Sequence, residues 1–201
     1  MFLQKSPLGS FKKSWKFIFF SGLILAVLTS AISLLFPLEY RADAQVYILS
    51  KSRYGVDPYT VVKSAEQVGK NLVQLTETND FYNKVMEQPG YNLDKSNFTG
   101  VSEKTKRKRW QKTVITSIVY GTGVINVTAY NTDSDMAKKY AGATADTLAS
   151  QGWQYVGGDV TIKVVNDPAV SRWPMRPNIL LNGLFGFLIG MLLSAILILK
   201  K

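Results

Sequence analysis

The 201-residue chain contains no cysteine and no histidine. These two absences remove disulfide frameworks, thiolate zinc sites, Cys or His nucleophiles and any Ser-His-Asp triad. Acid is scarce as well: 14 Asp and Glu stand against 24 Lys and Arg, and they are scattered, with Asp133 and Asp135 the one tight pair. That pair reads better as the opening of a helix, where negative charge complements the macrodipole, than as a catalytic couple. A phosphate-cradling glycine loop is missing too, since Gly121-Thr122-Gly123 lacks a following Lys-Ser/Thr and sits between two strand-like runs. Enzyme is therefore the weaker class, and the expectation is a non-catalytic protein with no metal and no cofactor. Without disulfides, any folded domain here has to be stable through its own core, which a chain of this length can build.

Charge is absent from two long stretches, residues 17–38 and 177–199. Each is long enough to cross a bilayer as a helix, which takes about 20 apolar residues. Lys5, Lys12, Lys13 and Lys16 precede the first and Lys200 and Lys201 follow the second, with no acid at either tip, the pattern of cytoplasmic ends. The middle keeps 18 of the 24 basic residues and all 14 acids, a balance of +4, and a loop this long translocates largely regardless of its charge. The expected layout is a cytoplasmic tail at 1–16, a first span at 17–38, an extracytoplasmic α/β domain at 39–166, a Pro-rich linker at 167–176, a second span at 177–199 and a cytoplasmic tail at 200–201. This describes a two-pass protein of a cell (inner) membrane with its main domain periplasmic or extracellular. The alternative for the first stretch is a cleaved signal peptide, with Thr29 and Ala31 as small residues before the cut. Against it, the apolar run continues through Ile32, Leu34, Leu35 and Phe36, beyond the about 7 to 15 residues of a signal-peptide core.

Between the spans, Tyr40, Ala42, Ala44, Val46 and Ile48 alternate with Arg41, Asp43 and Gln45, the period of a strand. Asp57 and Pro58 then mark a helix start, and Val61, Val62, Ala65, Val68, Leu72 and Leu75 recur at helical spacing. A second short helix around Phe81, Val85 and Met86 ends at Pro89-Gly90. Residues 91–112 read as loop with one or two helical turns. Residues 113–120 and 124–130, rich in Val, Ile, Thr and Tyr, flank Gly121-Thr122-Gly123 as a hairpin. Thr132 or Ser134 opens a long helix carrying Met136, Tyr140, Ala141, Ala145, Leu148 and Ala149, closed by Gly152, and Val160, Ile162 and Val164 form a last strand.

Strand, helices, strand, strand, helix, strand is the order of an α+β, ferredoxin-like unit. In that arrangement the last strand lies beside the first and runs back, so both chain ends leave at one edge and the two spans become neighbours. The hairpin tip at Gly121 then points away from the membrane, and the start of its first strand, near Lys112, faces it.

Three features are candidates for function. Pro168, Pro174 and Pro177 stiffen the path into the second span, and beside them Trp173 suits a membrane interface. Gly22, Ala26 and Ser30 in the first span and Gly186, Gly190 and Ser194 in the second lie four apart, giving each a small-residue face that lets backbones approach, within or between subunits. The densest charge is Lys104, Lys106, Arg107, Lys108, Arg109 and Lys112, with Trp110 inside it. A solvated face is the plain explanation of such a run. Nucleic acid is discounted because the run faces outward from the cell. The functional alternative is contact with anionic headgroups, or with the pyrophosphate of a lipid-linked glycan, with Trp110 as a stacking surface. Asn97-Phe98-Thr99 and Asn126-Val127-Thr128 match glycosylation sequons and are assigned nothing.

The whole layout resembles the polysaccharide co-polymerases, the Wzz-type chain-length determinants and related capsule-biosynthesis membrane subunits. The residues that carry the resemblance are Tyr40, Ala42, Ala44 and Val46 after the first span, Ala137 and Ala141 in the helix after the hairpin, and Pro168, Pro174, Pro177, Gly186 and Gly190 at the end. It implies a non-enzymatic homo-oligomer, a ring or cage in membrane lipid, that acts with a polysaccharide polymerase or exporter to set the length of a lipid-linked surface polysaccharide such as O-antigen, capsule or exopolysaccharide. Two departures stand out. Residues 91–112 are too few for the long protruding helices of larger members, and Lys200-Lys201 is a tail with little to activate a kinase. The second class considered is a membrane-anchored sensor or adaptor whose outer domain binds a ligand or envelope partner.

Overall fold

In the computed structural model, residues 7–50, 57–157 and 160–199 are described, and the chain divides into two compact units, Met1–Leu38 with Met175–Lys201, and Glu39–Pro174. Lys5, Lys200 and Lys201 lie outside the described residues, as do the side chains of Lys12 and Lys13.

The first unit is a pair of helices, α1 (Pro7–Ser33) and α7 (Ile179–Leu199). Their apolar stretches, Ser14–Ser33 and Ile179–Leu199, are 20 and 21 residues long, enough to cross a membrane. Most of their large side chains face outward: Ile24 is 60% exposed, Leu180 87% and Leu192 64%. The two helices therefore present a mostly apolar outer surface that the rest of their unit does not cover.

The second unit is a four-stranded antiparallel sheet with helices on one face. β1 (Tyr40–Ser50) follows the expected alternation, with Ala42, Ala44, Val46 and Ile48 buried and the residues between them turned to the other face. α2 (Pro58–Thr76) is capped by Asp57, whose carboxylate accepts from Thr60 N at 3.2 Å, with proline at the first position where no donor is wasted. α3 (Asn79–Met86) is capped by Thr78, whose hydroxyl accepts from Phe81 N. After a single 3-10 turn at Ser96–Phe98 comes α4 (Glu103–Thr113), leading straight into β2 (Val114–Ile118) and β3 (Val124–Asn131). α5 (Ser134–Gln151), the short α6 (Trp153–Val156) and β4 (Val160–Val170) complete the unit.

The sheet order is β2-β3-β1-β4, every pair antiparallel. Ala42 lies opposite both Ala129 and Val170, and Val114 opposite Ala129, so the start of β1, the start of β2 and the ends of β3 and β4 share one end of the sheet. α5 packs its Ala137, Ala141, Ala145 and Leu148 on β1, β3 and β4, where small residues allow close approach, and α2 covers β1 and β2 with Ala65 and Leu72.

Two expectations change. The stretch 91–112, read as loop with a turn or two, holds all but the last residue of an 11-residue helix, α4. The last strand does not stop near Val164 but runs to Val170, so Asp167, Pro168, Ala169 and Val170 belong to the sheet rather than to a linker. Pro168 is tolerated because β4 is an edge strand, where a missing N–H costs no ladder bond. Gly152 closes α5 as expected, with φ −58°, and glycine is needed there because a Cβ would run into Leu148 O and meet Ile162 Cδ1 at 2.7 Å. The left-handed position is Gly157, with φ +89°, after α6.

Candidate functional site

α4 forms for reasons that lie at its ends. Ser102 caps it, Glu103 sits in its first turn and Lys112 in its last, each matched to the dipole. Its one buried side chain is Trp110, 1% exposed, whose indole N–H donates to Thr76 O at 2.7 Å. Around it stand Tyr82 (5.4 Å between ring centroids, edge-on), Phe98 (6.4 Å) and Tyr140 (6.4 Å). Burial raises the pKa of both tyrosines above the ordinary phenol value, and Tyr140 donates its hydroxyl proton to Asp94 O. The indole proposed as a stacking surface is therefore inside the domain and unavailable to a ligand. It is the anchor of α4, not its contact.

The basic residues around it separate by face. Lys106 is bound to Glu103 at 2.6 Å and lies 5.8 Å from the Tyr82 ring centroid, and Arg109 donates to Asn97 O. Lys104, Arg107 and Lys108 are exposed and, at spacings of three and four, form one row on the helix surface, with Lys108 turned opposite Trp110, Arg107 beside the indole's face and Lys112 continuing the row. The exposed basic stripe is thus smaller than the charge run suggested. Since α4 ends where β2 begins, its C-terminal turn adjoins the sheet end that carries Tyr40 and Val170.

In the helix pair, Gly186, Gly190 and Ser194 are buried. A Cβ at Gly186 would meet Thr29 Oγ1 at 2.1 Å and Leu25 O at 2.9 Å, and one at Gly190 would meet Ser21 O at 2.8 Å and Gly22 Cα at 2.9 Å. Backbones approach this closely only where no side chain intervenes. Gly22 faces Met191 and Phe187, Ser30 faces Gly183, and Ala26 lies at the margin of that contact. Ser194 bonds its own helix, to Gly190 O and Met191 O, rather than across the pair. A polar clasp that sequence reading passed over joins the helices at one end. Thr29 donates to Asn182 O at 3.1 Å and Asn182 Nδ2 to Ser33 Oγ at 2.8 Å, while Ser21 reaches Gly190 O at 3.4 Å further along. Its signal was present, an Asn within an otherwise apolar run.

Of the prolines, Pro168 lies in β4 with its ring against α5 near Gly142, and Pro174 and Pro177 follow the strand. Ser171 extends the pairing beyond β4, its N–H donating to Arg41 O at 2.7 Å and its hydroxyl accepting from Arg41 N at 3.0 Å. Among the described residues no group of acids could hold a metal ion. Comparison with protein-family models and with curated proteins finds no match for this chain.

Proposed function

We propose that the chain is a two-pass membrane scaffold of the polysaccharide co-polymerase type, a homo-oligomer that works beside a polymerase or exporter and helps set the length of a lipid-linked surface polysaccharide. The observation that carries this reading is made in each unit by itself: β1 and β4, the first and last strands of the sheet domain, are hydrogen-bonded neighbours, and the two apolar helices pack on each other through their glycines. A cleaved leader would leave the glycine face of α7 without its partner, which favours α1 as a permanent anchor. The order β2-β3-β1-β4, with α2 to α4 crossing from β1 to β2 and α5 from β3 to β4, supports a ferredoxin-like assignment of the outer domain. In this reading both tips are cytoplasmic and the domain is outside. The exposed stripe of Lys104, Arg107 and Lys108 meets phosphate-bearing headgroups or the pyrophosphate of a carrier lipid, each basic group near an anionic surface contributing about 1 kcal/mol.

Two experiments test it. The purified chain in nanodiscs should have the mass of one defined higher oligomer; a monomer or dimer would favour a membrane-anchored adaptor instead. In cells, Lys104→Gln, Arg107→Gln and Lys108→Gln together should shift the length distribution of surface polysaccharide, and an unchanged ladder on a glycan gel rules out that role for the stripe.

A further inference from the structure

The helices cover one face of the sheet, and the other face carries a concavity of about 530 Å³ bordered by Arg41, Asp43, Gln45, Asn126, Thr128 and Asn166. We propose that this concavity is a saccharide-binding site, taking an uncharged or amino-sugar segment of a glycan rather than a phosphate or a uronate. The inference deepens the reading above and rests on it only for where such a glycan would come from.

The groups are of the kind a sugar requires. Sugar hydroxyls both donate and accept, and so do primary amides. Asn166 Nδ2 donates to Gln45 Oε1 at 2.5 Å and Gln45 Nε2 to Asn126 Oδ1 at 2.8 Å, so three amides run head to tail across β4, β1 and β3. Each bond polarises the next. The chain of amides ends in the NH₂ of Asn126 as donor and the carbonyl of Asn166 as acceptor. Beside it, Asp43 Oδ1 accepts from Arg41 Nε at 2.9 Å and Thr128 Oγ1 at 2.6 Å, and the Arg41 Nη2 contact at 2.8 Å falls on the same oxygen. That leaves Oδ2 to accept from a ligand hydroxyl. An apolar or poorly matched surface laid here would strand these groups without water, at a cost.

Backbone irregularity makes the concavity. β4 pairs Ala169 with Asp43, Asn166 with Gln45 and Val164 with Val46, one residue too many at each of two steps. Such bulges re-aim side chains, and here consecutive residues, Asn166 and Asp167, both border the concavity, where a regular strand would turn them to opposite faces. The volume lies within the range of about 300 to 1,000 Å³ usual for ligand pockets. Charge sets the ligand class: Arg41 is neutralised by Asp43, so Asp167 leaves the surface slightly acidic, opposite in sign to the stripe on α4. Phosphates and uronates are repelled, whereas neutral sugars and amino sugars are not.

The test presents the full chain in nanodiscs to oligomers of glucose, galactose, mannose and N-acetylglucosamine and to uronate oligomers of matched length, with binding read by saturation-transfer NMR. At least one uncharged oligomer should bind, and the uronates at least about tenfold more weakly, since a tenfold ratio needs only about 1.4 kcal/mol. Asn126→Ala and exposed Asn166→Ala should each weaken binding by about tenfold, the loss expected when a hydrogen-bond partner is removed. Circular dichroism should stay unchanged for Asn166→Ala, which lies on the edge strand. Failure of every uncharged oligomer to bind, equal binding of uronates, or binding that survives both substitutions overturns the site. So does hydrogen-exchange protection of this face by a second copy in sugar-free protein. Binding through these residues with surface polysaccharide unaltered on gene deletion would keep the site and remove the polysaccharide reading, and altered polysaccharide without binding would do the reverse.

Discussion

Trp110 is buried in the sheet domain and Gly186 in the helix pair, and they are the largest and the smallest residues available. In the sheet domain, the indole fills a ring of three aromatics and its one polar atom is bonded. In the same core Phe81, Leu72, Ile48, Ile125 and Leu148 are fully buried, so stability comes from apolar surface withdrawn from water. In the helix pair, most large side chains point away, and apart from Phe19 against Phe187 and the buried Ile18 the contact is made by Gly186, Gly190 and Gly22 with a few hydroxyls and one amide. In the membrane setting proposed for this pair, lipid offers no hydrophobic gain for hiding a leucine, so what remains is close backbone approach and hydrogen bonding. On that reading the same chain obeys two packing rules, set by two solvents.

The contrast can be broken most forcefully at Trp110. Trp110→Ala should cost the domain about 3 to 5 kcal/mol, the loss typical of a buried tryptophan, and leave Thr76 O without its partner. Chemical denaturation of the chain in nanodiscs, followed by hydrogen exchange in the sheet, measures it, and a loss under about 1 kcal/mol would deny the indole its anchoring role.

A smaller effect is expected from the opposite change in the other unit. Gly186→Leu should cost the helix pair about 1 to 3 kcal/mol by overpacking against Leu25 O and Thr29. Because the chain has no cysteine of its own, Ser30→Cys with Gly183→Cys reports the contact cleanly: the disulfide should form in the parent and fade when Gly186→Leu is added. Persistence of the disulfide in that background would mean the glycine is not required.

Asn182→Leu removes the bond to Ser33 Oγ and should weaken the pair by about 0.6 kcal/mol, at most about 1.7, in a steric-trapping assay. Replacing Lys104, Arg107 and Lys108 by Gln should move the denaturation midpoint by no more than about 0.5 kcal/mol, as expected of surface residues away from structural features. A larger loss would turn the stripe from a contact surface into a structural one.

The last effect is a pH dependence, flat around neutrality and visible only in alkali. Burial, followed by the bond to Asp146, pushes the Tyr91 hydroxyl up to about 12. A group whose folded pKa is raised contributes in full below its unfolded value near 10 and loses that contribution as pH rises toward 12. Alkaline titration of the melting temperature should fall across this window, and Tyr91→Phe should flatten the decline.

Much of the domain was legible because its signals are local. β1 is an unbroken alternation, α2 carries Asp57-Pro58 before a helical period, and the hairpin is two β-branched runs around glycines. α4 was not, because periodicity fails when only one residue in eleven is buried, and its evidence lay in Ser102, Glu103 and Lys112 at the ends. Trp110 among cations looks exposed until three-dimensional packing shows that it points opposite Lys108. Pro168 looks like a linker because a proline argues against a strand, and only the strand's place at the edge removes the objection.

The sequence alone determined two apolar lengths sufficient for a bilayer, the order of the four strands and of the helices that carry an apolar period, and the absence of cysteine and histidine chemistry. Those are properties of neighbouring residues, written in composition and period. Tertiary structure decided which cations remain exposed, which faces of the two apolar helices touch, and that Asn126, Thr128 and Asn166 stand beside Asp43 and Gln45. These depend on strand order, on register and on two bulges in β4, where residues more than a hundred positions apart meet and no local pattern can announce it.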